Sequence, residues 1–334
     1  MQRNYSPFVG YLHPGKKDIA YMNTQIEIID QFRAAMAEAG MTTNESIIAD
    51  GRLHRFHVEG DKRGSKNGAY TLHLNGRPAG YFEHFRSGIR QTWTADGQAY
   101  LMTEADRRAI EAERTRREAE RQQRYDRAAE RARSIYQAAF DAPSDHPYLI
   151  NKQVSAYPGV KLTTWRRTLK TDGELHRTLI IDHSLLIPLR DESGKIRNLQ
   201  AIFPAESPEL GRSKDFLPGG QLAGCFFTIG ERSDPVLICE GYATGATLHA
   251  ETGYRVYVAF SANNLKAVAL LVRKHRPEVK IIICCDNDKT EGNPGLRYGN
   301  DAALAVDGFL TYPPIEGYDF NDYAIKLKEA ANHE

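Results

Sequence analysis

Two short apolar runs constrain what this 334-residue chain can fold into: Val236-Leu237-Ile238-Cys239 passes straight into Glu240-Gly241, and Ile281-Ile282-Ile283-Cys284-Cys285 into Asp286-Asn287-Asp288. Each run has the length of a strand buried on both faces, and each stops in acidic residues where a loop should begin. If the two strands are neighbours in a parallel sheet, Glu240, Asp286 and Asp288 converge at its carboxyl edge, where such sheets place active sites. Three carboxylates in one cleft do not all stay ionised without a cation, and a hard divalent ion, Mg²⁺ or Mn²⁺, is the natural partner. The alternatives are an Asx turn for the aspartates and a dipole-complementing acid at a helix start for Glu240.

The neighbouring sequence has the alternation of a parallel sheet. Strands expected near 236–239, 256–259, 281–285 and 309–311 are separated by helices near 243–251, 264–275 and 296–306. This region, 231–334, follows three others. Residues 1–100 read as a small α+β module, with a helix near 25–39 and strand-like pieces at 53–58, 69–74 and 79–82. Asn75-Gly76 between two of these pieces signals a hairpin. Residues 101–142 form a long charged helix whose middle, 111–124, has no large apolar residue. It reads as a solvated bridge between domains laced with Glu-Arg pairs, with a nucleic-acid contact along its arginines as the alternative. Pro143 and Pro147 open a second α+β region, 143–230, in which 184–190 and 196–202 flank a turn at Asp191-Glu192-Ser193-Gly194.

The 44 basic and 43 acidic residues leave a net charge of +1, so a nucleic-acid partner would be met by a local patch rather than a global field. Cys225, Cys239, Cys284 and Cys285 include no CxxC pair; they read as reduced core thiols, and neither zinc nor a disulfide framework is expected. No apolar run approaches the roughly 18 residues of a membrane span, and no signal core opens the chain, so a cytoplasmic protein without a membrane partner is expected.

Glu240-Gly241-Tyr242-Ala243-Thr244-Gly245, followed by Asp286-Asn287-Asp288, closely resembles the Toprim domain of plasmid and satellite-phage primases, whose hallmark is a Glu-Gly-Tyr-Ala-Thr-Ala-like segment. Gly245 stands where the family has alanine. DnaG-type primases, topoisomerases and some nucleases share the Toprim fold, so the fold alone does not choose the reaction. The resemblance continues through 211–220, similar to the basic segment that precedes Toprim in primases, and through 187–200. It makes Arg212 and Lys214 candidates for template or nucleotide phosphate, with solvated surface charge as the alternative. Asp319-Phe320-Asn321-Asp322 matches the family's closing acidic motif. Lys289 and Arg297 are candidates for the triphosphate. Asn263, at a helix start, either contacts phosphate or caps the helix, as Asn264 could; Asn293-Pro294-Gly295 and Asn300-Asp301 read as a loop and a helix cap. The stretches 50–56, 68–70 and 85–93 resemble the front part of the same primases. There Arg52, Arg55, Arg86, Arg90 and Trp93, with His54, would suit single-stranded DNA, core packing being the alternative for His54 and Trp93.

The resemblance implies an α/β fold: a C-terminal Toprim domain preceded by an α+β primase subdomain, the charged helix and the N-terminal module. It further implies a primase making short RNA primers on single-stranded DNA from ribonucleoside triphosphates, for plasmid, phage or mobile-element replication. Glu240, Asp286 and Asp288 would be catalytic and metal-binding in a two-metal transfer, and Asp319 and Asp322 would complete the metal shell. The chain has no Walker-type GxxxxGK[ST], so a separate helicase or initiator is the expected partner. A Toprim nuclease and a catalytically silent DNA-binding accessory protein are the rival readings.

Overall fold

A computed structural model describes residues 16–62, 64–74, 77–95, 104–170, 176–290 and 292–331. They form two compact units, one up to Arg117 and one from Glu118 onward. In the first, helix α1 (Lys16–Glu38) accompanies an antiparallel meander of β1 (His54–Phe56), β2 (Gly68–His73), β3 (Ala79–His84) and β4 (Ile89–Thr94). Phe32 and Met36 of α1 are buried with Phe56, Tyr70, Leu72 and Phe82 of the sheet. The β2–β3 pair sets Tyr70 opposite Phe82; the Asn75-Gly76 turn that signalled it lies outside the described residues. Strand β4 adds to the pieces read from sequence, its half-buried Ile89 and Trp93 separated by Arg90, Gln91 and Thr92.

Helix α2 (Glu104–Ala138) is exposed along almost all of 111–124, where Glu113 pairs with Arg116 at 2.8 Å and Arg117 at 2.6 Å. These are the i,i+3 and i,i+4 pairs of a solvated helix. Its later turns bury Ala128, Ala129 and Ala132.

The second unit holds two five-stranded sheets. The antiparallel one runs in chain order through β5 (Phe140–Asp141), β6 (Lys161–Lys170), β7 (His176–Arg190), β8 (Ile196–Ser207) and β9 (Arg212–Phe216), with α3 (Pro147–Lys152) between β5 and β6. Along β7, Leu185, Ile187 and Leu189 enter one core while Leu186 enters the core on the other face, beside Trp165 and Ala132. Burial on both faces accounts for an uninterrupted apolar run in an antiparallel strand, where alternation is the usual pattern.

The other sheet has the order β10 (Phe227–Ile229), β12 (Arg255–Val258), β11 (Val236–Cys239), β13 (Ile281–Cys284), β14 (Phe309–Thr311), parallel except for β10. Helices α4 (Tyr242–Thr252), α5 (Leu265–His275), α6 (Pro294–Ala305) and α7 (Phe320–Ala331) complete it. On α5, Leu265, Val268, Ala269 and Val272 are buried at helical spacing, and Arg273, Lys274 and His275 sit in the last turn, where the dipole favours cations. Among the described residues no helix is long and apolar enough to cross a membrane.

Gly245 has a packing role. A Cβ on Gly245 would lie 2.7 Å from Val258 Cγ2 and 3.2 Å from Cys239 Sγ, so α4 rests on the sheet more closely than alanine permits. Gly245→Ala should gain about 1 kcal/mol of helix propensity and lose more to overpacking. The expected net result, read by urea unfolding, is roughly 1–2 kcal/mol of destabilisation; a more stable variant would contradict the close packing.

Candidate active site

Strands β11 and β13 are hydrogen-bonded parallel neighbours with Cys239 opposite Cys284, so the residues that follow them emerge at the same edge. Glu240-Gly241 turns directly into α4, while Asp286 and Asp288 lie on the loop from β13 to α6. Asp319 immediately precedes α7. Thr244 of α4 donates to its Oδ2 at 3.1 Å and the Asp322 N–H to its Oδ1 at 2.8 Å. Asp288 Oδ2 accepts the Gly295 N–H at 2.8 Å, at the start of α6. Gly295 is required there, because a Cβ would fall 2.4 Å from the Asp286 carbonyl oxygen. Asn293 fixes the loop: its side chain accepts from Leu296 N–H and Asp288 N–H, both at 3.1 Å, and donates to Asn287 Oδ1 at 2.8 Å. Asn293 is therefore the helix cap, and Asn300 is an exposed residue inside α6.

The electrostatics of this edge are those of carboxylates sharing a partly desolvated field. Desolvation, Asp288 and Asp319 raise the pKa of Glu240, opposed by Lys214 and by a hydrogen bond from the Ala262 N–H. Asp286 is raised to about 7, by desolvation first and then by Glu240, Asp319 and Asp288, with Lys214 opposing. Lys214 of β9 remains solvent-accessible along its length, but protein atoms crowd its ammonium. Desolvation and Lys152 lower its pKa, while Asp319, Glu240 and Asp286 raise it. Lys152, at the end of α3, donates to Asp322 at 2.7 Å.

Of the five acids read from sequence as metal-binding, Asp322 is held by Lys152, Asp319 by Thr244 and a backbone N–H, and Asp288 by Gly295. Asp286 Oδ1 is buried without any hydrogen-bond partner. Among the described residues no three acidic, histidine or cysteine side chains form a ready-made cage for an ion. The donors are nonetheless all oxygens, mutually repelling and short of positive charge, a set that suits a hard divalent cation rather than a soft one. Cys239, Cys284 and Cys285 lie behind them as buried thiols, their pKa values pushed up by desolvation, that of Cys285 to about 12.

Other residues singled out from sequence sit elsewhere. Arg212 and Lys214 lie on a strand, β9, and they part company: Arg212 pairs with Asp215 at 2.6 Å instead of joining the acids. Asp215 is buried, accepting from Trp165 Nε1 at 3.0 Å with Arg167 at 3.6 Å. Lys289 is exposed and lies along Gly317, and the exposed Arg297 lies 4.9 Å from the Tyr298 ring centroid. Asn263 is exposed. Neither it nor Asn264 caps with its side chain; the buried Asn264 instead joins Gly224, Cys225 and Ala259, each at 2.8 Å. In the first unit, Arg52 stands 4.0 Å from Asp50, Arg86 pairs with Asp61 and Arg90 with Glu83, while Arg55 lies 4.4 Å over Phe85. Trp93 packs edge-on against Phe32 at 5.3 Å, and His54 stacks on Tyr70 and bonds Asp50. Sequence reasoning passed over Lys152, Thr244 and Ala262 at the acidic edge. The family segment does contain Thr244, whereas Lys152 lies 170 residues from its partner and carries no local signal.

Residues 235–329 match the family model of the Toprim domain. Over 301 and 303 residues, 85% of the chain in each case, it is 31% identical to two proteins of Escherichia coli, each named DNA primase TraC. The chain spans 26% and 19% of the length of these relatives. Among solved structures it is similar to the Aquifex aeolicus primase (zinc-binding and RNA polymerase domains), with 15% identity, a TM-score of 0.43 and coverage of 92% of this chain and 83% of that one. A DNA primase domain from Pseudomonas aeruginosa gives 13% identity, a TM-score of 0.41 and coverage of 60% and 76%. The resemblance to plasmid-type Toprim primases read from the sequence thus extends over most of the chain.

Asp286 yields a pH test. Its folded value of about 7 lies above its ordinary 3.8, so in metal-free protein it favours the fold fully below the ordinary value and loses that contribution as pH rises through about 7. In EDTA, Asp286→Asn should therefore melt higher than the unaltered chain at about pH 8, with the gap narrowing as pH falls below about 7 and closing only below the ordinary 3.8. Equal melting temperatures at the higher pH would contradict the strained carboxylate.

Proposed function

We propose that the chain is a DNA primase that joins ribonucleotides into short primers on a single-stranded DNA template, in the replication of a plasmid or other mobile element. The observation that carries this reading is the acidic edge itself: Glu240 and Asp286 raised by desolvation and by the charge of neighbouring carboxylates, and Asp286 with an unpartnered oxygen, inside a segment that matches the Toprim domain. The similarity to plasmid primases over 85% of the chain supports primer synthesis over the other Toprim reactions.

Glu240, Asp286 and Asp288 would hold Mg²⁺ or Mn²⁺, with Asp319 and Asp322 around them. When bound, such an ion offsets charge on the attacking and leaving oxygens of phosphoryl transfer. Glu240, whose raised pKa brings it nearer neutrality, is suited to accept the proton of the attacking 3′-hydroxyl at a carboxylate oxygen. Lys214 Nζ neutralises triphosphate or template phosphate. Arg212 serves the reaction indirectly, through Asp215 and the strand that carries Lys214. Lys289, Arg297 and Asn263 are offered as outer contacts to the nucleotide. Residues 1–100, the helix of 101–142, the subdomain of 143–230 and the Toprim domain of 231–334 are the proposed functional divisions. The protein would work in the cytoplasm beside a separate helicase or initiator.

Primer synthesis on single-stranded DNA with labelled ribonucleotides tests the core of this. Glu240→Gln and Asp286→Asn should each lower the rate by roughly 10²-fold or more, and Lys214→Ala should raise the KM for nucleotides. Metal-dependent cutting of the template without primers would move the chain to the Toprim nucleases; neither activity would leave a binding role.

Arg52, Arg55, Arg86, Arg90 and Trp93 are proposed to load the single strand. Because the cations already have local partners, the contribution of each should be modest. Reversing Arg55 and Arg90 together to Glu should weaken single-strand binding in gel shifts by about 10-fold and flatten its salt dependence. An unchanged affinity would remove the first unit from DNA loading.

A further inference from the structure

A cavity of about 420 Å³ in the second unit lies away from the acidic edge. Arg255 opens β12 and Arg276 follows α5, which places both at the amino-terminal edge of the parallel strands; Glu240 and Asp286 follow the carboxyl ends. The cavity is thus at the opposite end of the sheet from the proposed chemistry. Its apolar lining comes from Leu271 and Val272 of α5 and from Phe226 and Tyr257, whose rings meet edge-on at 5.3 Å.

The charges around it are unevenly satisfied. Glu192 is engaged by Lys274 and His275, both at 2.9 Å. Asp191 closes its own turn, accepting from Ser193 and Lys195. Arg190 donates to the Gly194 carbonyl at 2.9 Å. By contrast, Arg255 and Arg276 both line the cavity, and among the described residues neither pairs with an acid. Cations that line a cavity without a carboxylate partner are available to an anionic ligand. Guanidinium groups match phosphate oxygens, and aromatic walls accept a flat ring. A cavity of this size, mostly apolar with a few polar groups, is of the kind that holds small organic ligands.

We propose that this cavity is a second ligand site, which takes a nucleoside monophosphate with its phosphate on Arg255 and Arg276 and its base against Phe226 and Tyr257. The site does not rest on the primase reading, since it involves neither the acidic edge nor a template.

The test is calorimetric titration of the whole chain with AMP in EDTA, with inorganic phosphate and adenosine alongside. Saturable AMP binding is expected, tighter than that of either fragment and unchanged in Asp286→Asn. Arg255→Gln and Arg276→Gln should each weaken it roughly 10-fold or more, the effect of removing one charge-assisted hydrogen bond. Arg255→Lys, which keeps the charge but not the fork, should also bind less tightly at an unchanged melting temperature, and serves if the glutamine variants do not fold. Four results would overturn the site: no saturable binding at millimolar AMP, binding indifferent to all the arginine variants, binding abolished in Asp286→Asn, or phosphate binding as tightly as AMP.

Discussion

Carboxylates brought to one sheet edge repel one another, and much of the second unit is arranged around that repulsion. Three chain segments that begin helical turns aim backbone N–H groups at it: Ala262 toward Glu240, Gly295 toward Asp288, and Asp322 toward Asp319. Each is at or near a helix start, where unpaired donors and the positive end of the dipole favour an anion. Lys152 and Lys214 add whole charges from the neighbouring antiparallel region. What remains uncompensated is concentrated on Asp286, whose carboxyl is pushed up to about 7 and keeps one oxygen without a donor. The edge is stable enough to form and still electrically incomplete.

The antiparallel sheet is part of the same device. Its strand β7 is apolar on both faces, one side shared with β11, β12 and α4, the other with α2 and Trp165. That double burial fixes β8 and β9 against the parallel sheet and so sets where Lys214 stands. A lysine drawn from a free loop would not be held within the field of Asp319, Glu240 and Asp286.

The sequence made the parallel sheet legible because its strands β11 and β13 are apolar throughout, and because an abrupt change to Glu240 or Asp286 marks where burial ends. The amphipathic α5 was equally plain. Strand β6, Lys161–Lys170, was not anticipated: its Arg166, Arg167 and Thr168 hide the single buried Trp165 from any periodicity argument. Nothing local separates Arg212 from Lys214, two positions apart on β9: it is the pairing of Arg212 with the buried Asp215 that gives the two cations different partners. The contacts of Lys152 with Asp322 and of Thr244 with Asp319 join residues 170 and 75 positions apart, so they follow from the fold and from nothing local.

Lys214 and Asp215 are consecutive on one strand, one turned to the acids and the other fastened inside the antiparallel sheet by Trp165, Arg167 and Arg212. Neighbouring side chains of a strand behave as the two ends of a short lever. The backbone at Lys214 cannot shift far without prising a carboxylate from its indole, and the anchor cannot slip without carrying the base of the lysine away. Any opening or closing of the cleft at this point would therefore have to be a displacement of the sheet as a plate, so that the reach of Lys214 is set by the rigidity of a core it does not itself touch.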